Sequence, residues 1–246
     1  MFSAHNLIGT WKRKVDKFIV LTEFAETKFL GSKLRIRRDQ LVVKPNFVYD
    51  TEAATVLRND SFLYVGRLSP EKGLLVALDS ASSFGFELII IGDGPMRDVV
   101  QSYTDKHNNI SWLGFRDKAA IIEKMRTCRA LIIPSVCYEG FPLSALEAFS
   151  TGTPVIASGL GSLKEIVQDH FNGLHFDVAD KTDLFRKVST LRDDSRLFEK
   201  LCSNARQTYL DHYTPAKNYE MLMSIYESVL HTRRMKASPS PVKKAA

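Results

Sequence analysis

Residues 139–147 read Glu-Gly-Phe-Pro-Leu-Ser-Ala-Leu-Glu, which sets two carboxylates, Glu139 and Glu147, around a Gly-Phe-Pro turn. The apolar run Ala130 to Ile133 before the turn has the composition of a buried strand, and the residues after Pro142 that of a helix. Glu139 is therefore expected at the carboxyl end of a strand and Glu147 on the helix that follows. In an open α/β sheet that edge is where ligands bind. A helix starting there presents unpaired N–H groups and a positive dipole end, which suit a phosphate. A carboxylate further along the helix suits hydroxyl donors such as a ribose diol.

A second cluster, Gly66-Arg67-Leu-Ser-Pro-Glu-Lys72-Gly73, directly follows another apolar run, Phe62 to Val65. Gly66 permits a tight turn and close backbone approach. Arg67 offers a planar fork suited to phosphate oxygens. Ser69 and Pro70 are the residue types of a cap and a first helical position. This spacing predicts Lys72 in the first turn of a helix, where the dipole disfavours a cation and a bound anion would compensate it. Taken singly, either cluster also reads as an ordinary helix start with exposed charges. Their expected emergence from one sheet edge favours a ligand site.

The positioning elements follow from periodicity. Phe62 to Val65, Phe86 to Ile91, Ile110 to Leu113, Ala130 to Ile133, Pro154 to Ala157 and Leu174 to Phe176 read as strands. Helices are expected from Ser69, Met96, Lys118 and Pro142, so strands and helices alternate at βαβ spacing and predict a parallel sheet. Before this region, Phe18 to Thr22 and Gln40 to Val43 read as short strands flanking a helix, Glu23 to Leu30, with Thr22 as its cap. Asp50 to Arg58 reads as a linker. Residues 180–230 read as helical, ending in a helix with Tyr219, Leu222, Met223, Tyr226, Val229 and Leu230 on its apolar face. The fold class is α/β, a Rossmann-like parallel sheet with helices on both faces. The divisions expected are 1–50 as the remnant of a preceding domain and a linker, 51–212 as the Rossmann-like domain, to which the family resemblance described below adds nucleotide-sugar binding, 213–231 as a C-terminal helix and 232–246 as a disordered basic tail.

The combined pattern resembles the C-terminal, donor-binding half of a retaining glycosyltransferase of the GT-B fold, family 4, from about Lys17 to Leu230. Its marks are Gly66-Arg67 with Lys72-Gly73, Ile91-Gly-Asp-Gly-Pro95, Leu113-Gly114, Pro134-Ser135, Glu139 with Glu147, Gly152-Thr-Pro-Val155 and Gly173-Leu174. The resemblance implies transfer of a sugar from a nucleotide-diphosphate-sugar donor to an acceptor hydroxyl, with retention. It implies that Arg67 and Lys72 hold the donor diphosphate and that Glu139 sits near the sugar. The amides of Gly140, Phe141 and Pro142 would bind sugar hydroxyls, those of Leu143 and Ser144 the distal phosphate, and Glu147 the ribose. Gly66 belongs to the same donor site, and Leu113-Gly114-Phe115 would line the nucleobase pocket. Two departures stand out. Leu160-Gly161-Ser162 replaces the consecutive glycines frequent in the family before Glu165. Residues 1–50 are expected to hold only the end of the acceptor-binding domain, so the alternative is a nucleotide-sugar-binding module inactive alone, unless a separate chain supplies the other half.

Composition narrows the classes. The 246 residues are 44% hydrophobic and 25% charged, ordinary for a globular protein. No apolar run reaches the roughly 20 residues of a bilayer span, and the first residues lack signal-peptide shape. Three scattered cysteines suit a reducing compartment, so a cytoplasmic location, at most peripheral to a membrane, is expected. The net charge of +6 lies at the ends: ten Lys and Arg against four Asp and Glu in 1–45, and five basic residues with no acid in 231–246. A nucleic-acid binder would carry it on the folded core with interleaved aromatics, so no nucleic-acid partner is expected. The basic ends read as a solvated linker and tail, with an anionic membrane surface as the alternative partner. The six histidines lack metal spacing, and no Asp-x-Asp element calls for a divalent ion, so no metal or cofactor is expected. The acceptor would be a glycan or lipid-linked glycan. Gly92-Asp-Gly-Pro95 reads as a helix opening, and Cys137 as a packing residue near the site.

Overall fold

The computed structural model describes residues 9–34, 36–53 and 57–237. The chain forms two compact units, Asn46–Pro215, and Met1–Pro45 with Ala216–Ala246.

The larger unit holds a six-stranded, wholly parallel sheet. Its strands are β3 (Phe62–Val65), β4 (Leu88–Ile91), β5 (Ile110–Trp112), β6 (Ala130–Ile133), β7 (Val155–Ser158) and β8 (Gly173–Phe176), in the order β5-β4-β3-β6-β7-β8. The helices between them are α3 (Leu74–Phe84), α4 (Arg97–Lys106), α5 (Lys118–Thr127), α6 (Leu143–Ser150) and α7 (Ser162–Ile166). After β8 come α8 (Lys181–Asp193) and α9 (Ser195–His212). The central strands are buried along their whole length, as β4, β6 and β7 show. Parallel sheets covered on both faces have this character, which is why their sequences are unbroken apolar runs rather than alternating ones. Phe62, Phe86, Leu74 and Leu78 pack on one face of the sheet, and Leu63, Leu131, Leu146 and Phe149 on the other. Phe62 and Phe86 meet edge to face with ring centroids 5.5 Å apart.

The strand order reverses between β3 and β6. From β3 the chain builds outward to β4 and β5, then returns to add β6 on the opposite side. The loops after β3 and β6 leave in different directions and open a crevice at this switch point.

The stretch expected as a linker is anchored at both ends. Asp50 receives two bonds from Arg206, at 2.7 and 2.9 Å. Arg58 donates to the carbonyls of Met125 and Cys128 at 2.8 and 3.0 Å, to Thr153 Oγ1 at 2.8 Å and to the Thr151 carbonyl at 2.9 Å. A single guanidinium thus caps the carboxyl ends of α5 and α6, where orphan carbonyls and the negative dipole end favour a cation.

The smaller unit contains α1 (Thr10–Lys14), β1 (Phe18–Val20), α2 (Glu23–Leu30) and β2 (Leu41–Val43), with β1 and β2 parallel. Thr22 Oγ1 caps α2 by accepting from Ala25 N at 3.1 Å. Most of α10 (Pro215–Ala237) belongs here. Asn218 on α10 accepts from Lys44 Nζ at 2.9 Å and donates to the Pro45 carbonyl at 2.6 Å. The apolar face expected on this helix is displaced around its axis. Asn218 and Ile225 are buried, whereas Tyr219, Tyr226 and Leu230 are exposed. The apolar periodicity runs through the tyrosines, whose rings stay accessible, while the small stripe that packs includes a polar asparagine with satisfied bonds. Most of the expected basic tail, residues 238–246, lies outside the described residues. Among the described residues no helix is long and apolar enough to cross a membrane.

Candidate functional site

A crevice of about 400 Å³ opens at the switch point. Its floor is the ends of β3 and β6, and Gly66, Arg67, Lys72, Ser135, Glu139 and the turn from Phe141 to Ser144 line it. The two clusters that sequence placed on one sheet edge therefore meet.

Close backbone approach makes this possible. Gly73 adopts a left-handed conformation, φ 66°, and a Cβ there would lie 1.8 Å from the Pro134 carbonyl oxygen. The loop after β3 thus rests directly on the loop after β6. Val136 N donates to the Glu71 carbonyl at 3.1 Å and ties the two loops together. Gly92 braces the same loop from β4, since a Cβ there would lie 1.9 Å from the Gly66 carbonyl oxygen. Leu68 N donates to the Asp93 carbonyl, and Met96 N to the Leu68 carbonyl, each at 3.0 Å. Gly92-Asp-Gly-Pro95 is therefore more than a helix opening: it holds the Arg67 loop in place.

Lys72 does not stand in the first turn of an α-helix. Pro70–Lys72 is a single 3-10 turn, Gly73 breaks it, and α3 begins at Leu74. Ser69 does not cap a helix; its hydroxyl donates to Glu71 at 2.7 Å. The cation is compensated by a protein carboxylate. Lys72 Nζ donates to both oxygens of Glu139, each at 2.8 Å. Glu139 is further held by the Ser135 hydroxyl, and its backbone carbonyl accepts from Ser162 Oγ at 2.6 Å. No hydrogen bond or ion pair with another described residue occupies the Arg67 guanidinium, although Glu71 lies close enough to feel its charge. Tyr64 donates to the Arg67 carbonyl at 2.9 Å. Burial, reinforced by the charges of Glu139 and Glu71, raises the Tyr64 phenol above its ordinary pKa, so it stays a neutral donor.

α6 begins at Leu143 with Pro142 as the flanking residue, one position later than expected. No side chain caps its N-terminus and its first turn has no acid. The positive dipole end faces the crevice uncompensated. The Phe141 ring anchors the turn by packing edge to face on Tyr213, with centroids 6.2 Å apart.

Beside this crevice lies a second hollow of about 280 Å³, sharing Val65, Gly66 and Arg67 with it and adding Ile91, Phe115, Arg116 and Ile121. Its walls are mainly apolar and Phe115 is exposed at its rim. Of the residues proposed from sequence, Leu113, Gly114, Gly140 and Glu147 line neither hollow. Gly114 supports β4 by accepting from Gly92 N at 2.9 Å. Glu147 is ion-paired with Lys118 at the start of α5, where Asp117 caps the helix by accepting from Ala120 N at 2.8 Å.

The profile of the family described as "Glycosyl transferases group 1" matches residues 52–208. The chain belongs to this family. Its described fold is that of the C-terminal domain of a GT-B glycosyltransferase. An uncharacterized glycosyltransferase of Methanocaldococcus jannaschii is 33% identical over 147 residues, which cover 59% of this chain and 42% of that one. The Escherichia coli UDP-Gal:alpha-D-GlcNAc-diphosphoundecaprenol alpha-1,3-galactosyltransferase is 26% identical over 183 residues, covering 69% and 46%. The solved structure of Anabaena HepE in complex with UDP and glucose superposes with a TM-score of 0.78 at 20% identity, covering 93% of this chain and 68% of that one. This group 1 chain thus spans about two fifths of the length of its Methanocaldococcus relative.

Sequence reasoning missed three partners in this glycosyl transferase domain: Lys118, the Ser135 hydroxyl as a ligand of Glu139, and Ser162. Lys118 looked like any exposed lysine at a helix start. Only the tertiary fold brings it to Glu147. Ser162 stands where glycines were expected, yet it starts α7 and fixes the Glu139 backbone.

Proposed function

We propose that this domain binds a nucleotide-diphosphate sugar, and that with an acceptor-binding partner it transfers the sugar, with retention, to the hydroxyl of a glycan or lipid-linked glycan, as a family 4 enzyme. The observation that carries this reading is the convergence of Arg67, Lys72 and the uncapped N-terminus of α6 on one crevice at the sheet's switch point. Three positive elements around a cleft of this size suit a diphosphate. In the reaction they act on the negative charge that develops as the diphosphate leaves. The α6 amides are fixed in place and stabilise that charge without reorganising; Arg67 and Lys72 add cationic groups, Lys72 from beside Glu139, so the charge is carried by the chain's own groups, with no metal or cofactor assigned.

Glu139, at the crevice floor, is placed to accept from sugar hydroxyls, with the backbone of Gly140, Phe141 and Pro142 beside it. The α6 amides of Leu143 and Ser144 meet the distal phosphate, and Glu147 takes the ribose hydroxyls from its place on α6. The apolar hollow with Gly66, Phe115 and the loop at Gly114 receives the nucleobase. The smaller unit is then part of the acceptor-binding half, completed by further sequence or by a separate chain. Three unpaired cysteines support a cytoplasmic setting, and the basic ends support contact with an anionic membrane surface. The second reading is a binding module without turnover of its own.

Calorimetry with UDP and GDP tests the site. Arg67→Ala and Glu147→Ala should each weaken binding of the preferred diphosphate, by about tenfold or more for the arginine, whose charge-assisted bonds are worth about 1.5–3 kcal/mol. Unchanged affinity in both variants would remove the assignment.

A further inference from the structure

Lys72 and Glu139 neutralise each other inside the crevice. Both Glu139 oxygens lie 2.8 Å from Lys72 Nζ, and the glutamate side chain is only 11% exposed. The carboxylate cannot easily swing away. The Ser135 hydroxyl holds it from one side, and Ser162 pins its backbone. Ser135 is itself fixed, because its carbonyl accepts from Ser158 Oγ at 2.7 Å.

We infer that Glu139 is an internal counterion that competes with the diphosphate for Lys72 and so lowers the affinity for the nucleoside diphosphate relative to the sugar-bearing donor. The inference rests on the donor-site reading above. A diphosphate entering the crevice must draw Lys72 from the carboxylate or lie beside both. When a sugar is attached, its hydroxyls replace Lys72 as donors to Glu139, and the carboxylate stays satisfied. When the sugar is gone, no such donor remains. The buried carboxylate then either reclaims Lys72 or faces the phosphates as a like charge, and both outcomes weaken the complex. Arg67, which no carboxylate of the described residues holds in an ion pair, attracts both ligands without this discrimination. The device makes product release a property of the resting ion pair.

The test is calorimetry of the full chain with UDP and GDP, and with UDP-glucose and GDP-mannose as their sugar-bearing counterparts. The proteins are wild type, Glu139→Gln, Lys72→Met, the double variant and Arg67→Ala. Glutamine is isosteric and keeps an acceptor for Ser135. Glu139→Gln should tighten the preferred nucleoside diphosphate by about tenfold, equivalent to about 1.4 kcal/mol, and the sugar nucleotide by less. In the Lys72→Met background this gain should shrink, since the lysine is the object of the competition. If Glu139→Gln leaves diphosphate affinity unchanged or weaker while Arg67→Ala still weakens it, the counterion role fails and the donor site stands. An equal gain with and without Lys72 also overturns it. If no nucleotide binds, or Arg67→Ala changes nothing, the donor-site reading falls and this inference with it.

Discussion

Replacing Gly73 by alanine tests whether the site depends on direct backbone contact between the loops after β3 and β6. The substitution has two separable costs. Gly73 is left-handed, φ 66°, and an alanine there is destabilised by about 1–2 kcal/mol through the clash of Cβ with its own backbone. The added Cβ would also stand 1.8 Å from the Pro134 carbonyl oxygen, whereas ordinary contacts sit at about 3.5 Å. The loops would have to part, and overpacking of this kind costs about 1–3 kcal/mol. The expected total is about 2–5 kcal/mol. Gly85 is an internal control: its φ is 74°, yet a Cβ there meets nothing within 4 Å. Gly85→Ala should therefore carry the conformational cost alone. Urea denaturation of both variants measures the difference, and nucleotide calorimetry of Gly73→Ala should show loss of affinity, because Lys72 and Glu139 ride on the separated loops. Equal destabilisation by the two substitutions, or unchanged nucleotide affinity in Gly73→Ala, would refute this account of how the site is assembled.

Two further outcomes are expected. Arg58→Met should destabilise the larger unit by about 2 kcal/mol or more, because it strands the Cys128 and Thr151 carbonyls that the guanidinium now satisfies, whereas the Met125 carbonyl keeps its bond from Thr153 Oγ1; a loss below about 1 kcal/mol in urea would show the caps to be dispensable. Burial pushes the Cys128 thiol up to about 12 and the Cys202 thiol up to about 11, so neither supplies much thiolate at neutral pH. Iodoacetamide followed by peptide mass spectrometry should label Cys137 first, and labelling of Cys202 at the same rate would contradict the burial argument.

The sequence by itself determined the α/β class and the positions of the six central strands. Each strand is a short apolar run between helical segments, and a sheet covered on both faces demands that pattern. It also placed Arg67 and Glu139 at the same sheet edge, because each lies in the loop that follows such a run. The tertiary structure alone decided which strand ends are neighbours. The reversal of order between β3 and β6 is set by crossover packing and brings together residues some seventy positions apart along the chain, as in the pairing of Lys72 with Glu139. It also decided that Lys72 precedes its helix, because the contact of Gly73 with Pro134 breaks the turn that Ser69 and Pro70 begin. Lys118 was invisible for the same reason. An ion pair between two helices has no signature in either helix's own sequence, since it depends on their separation and facing in space.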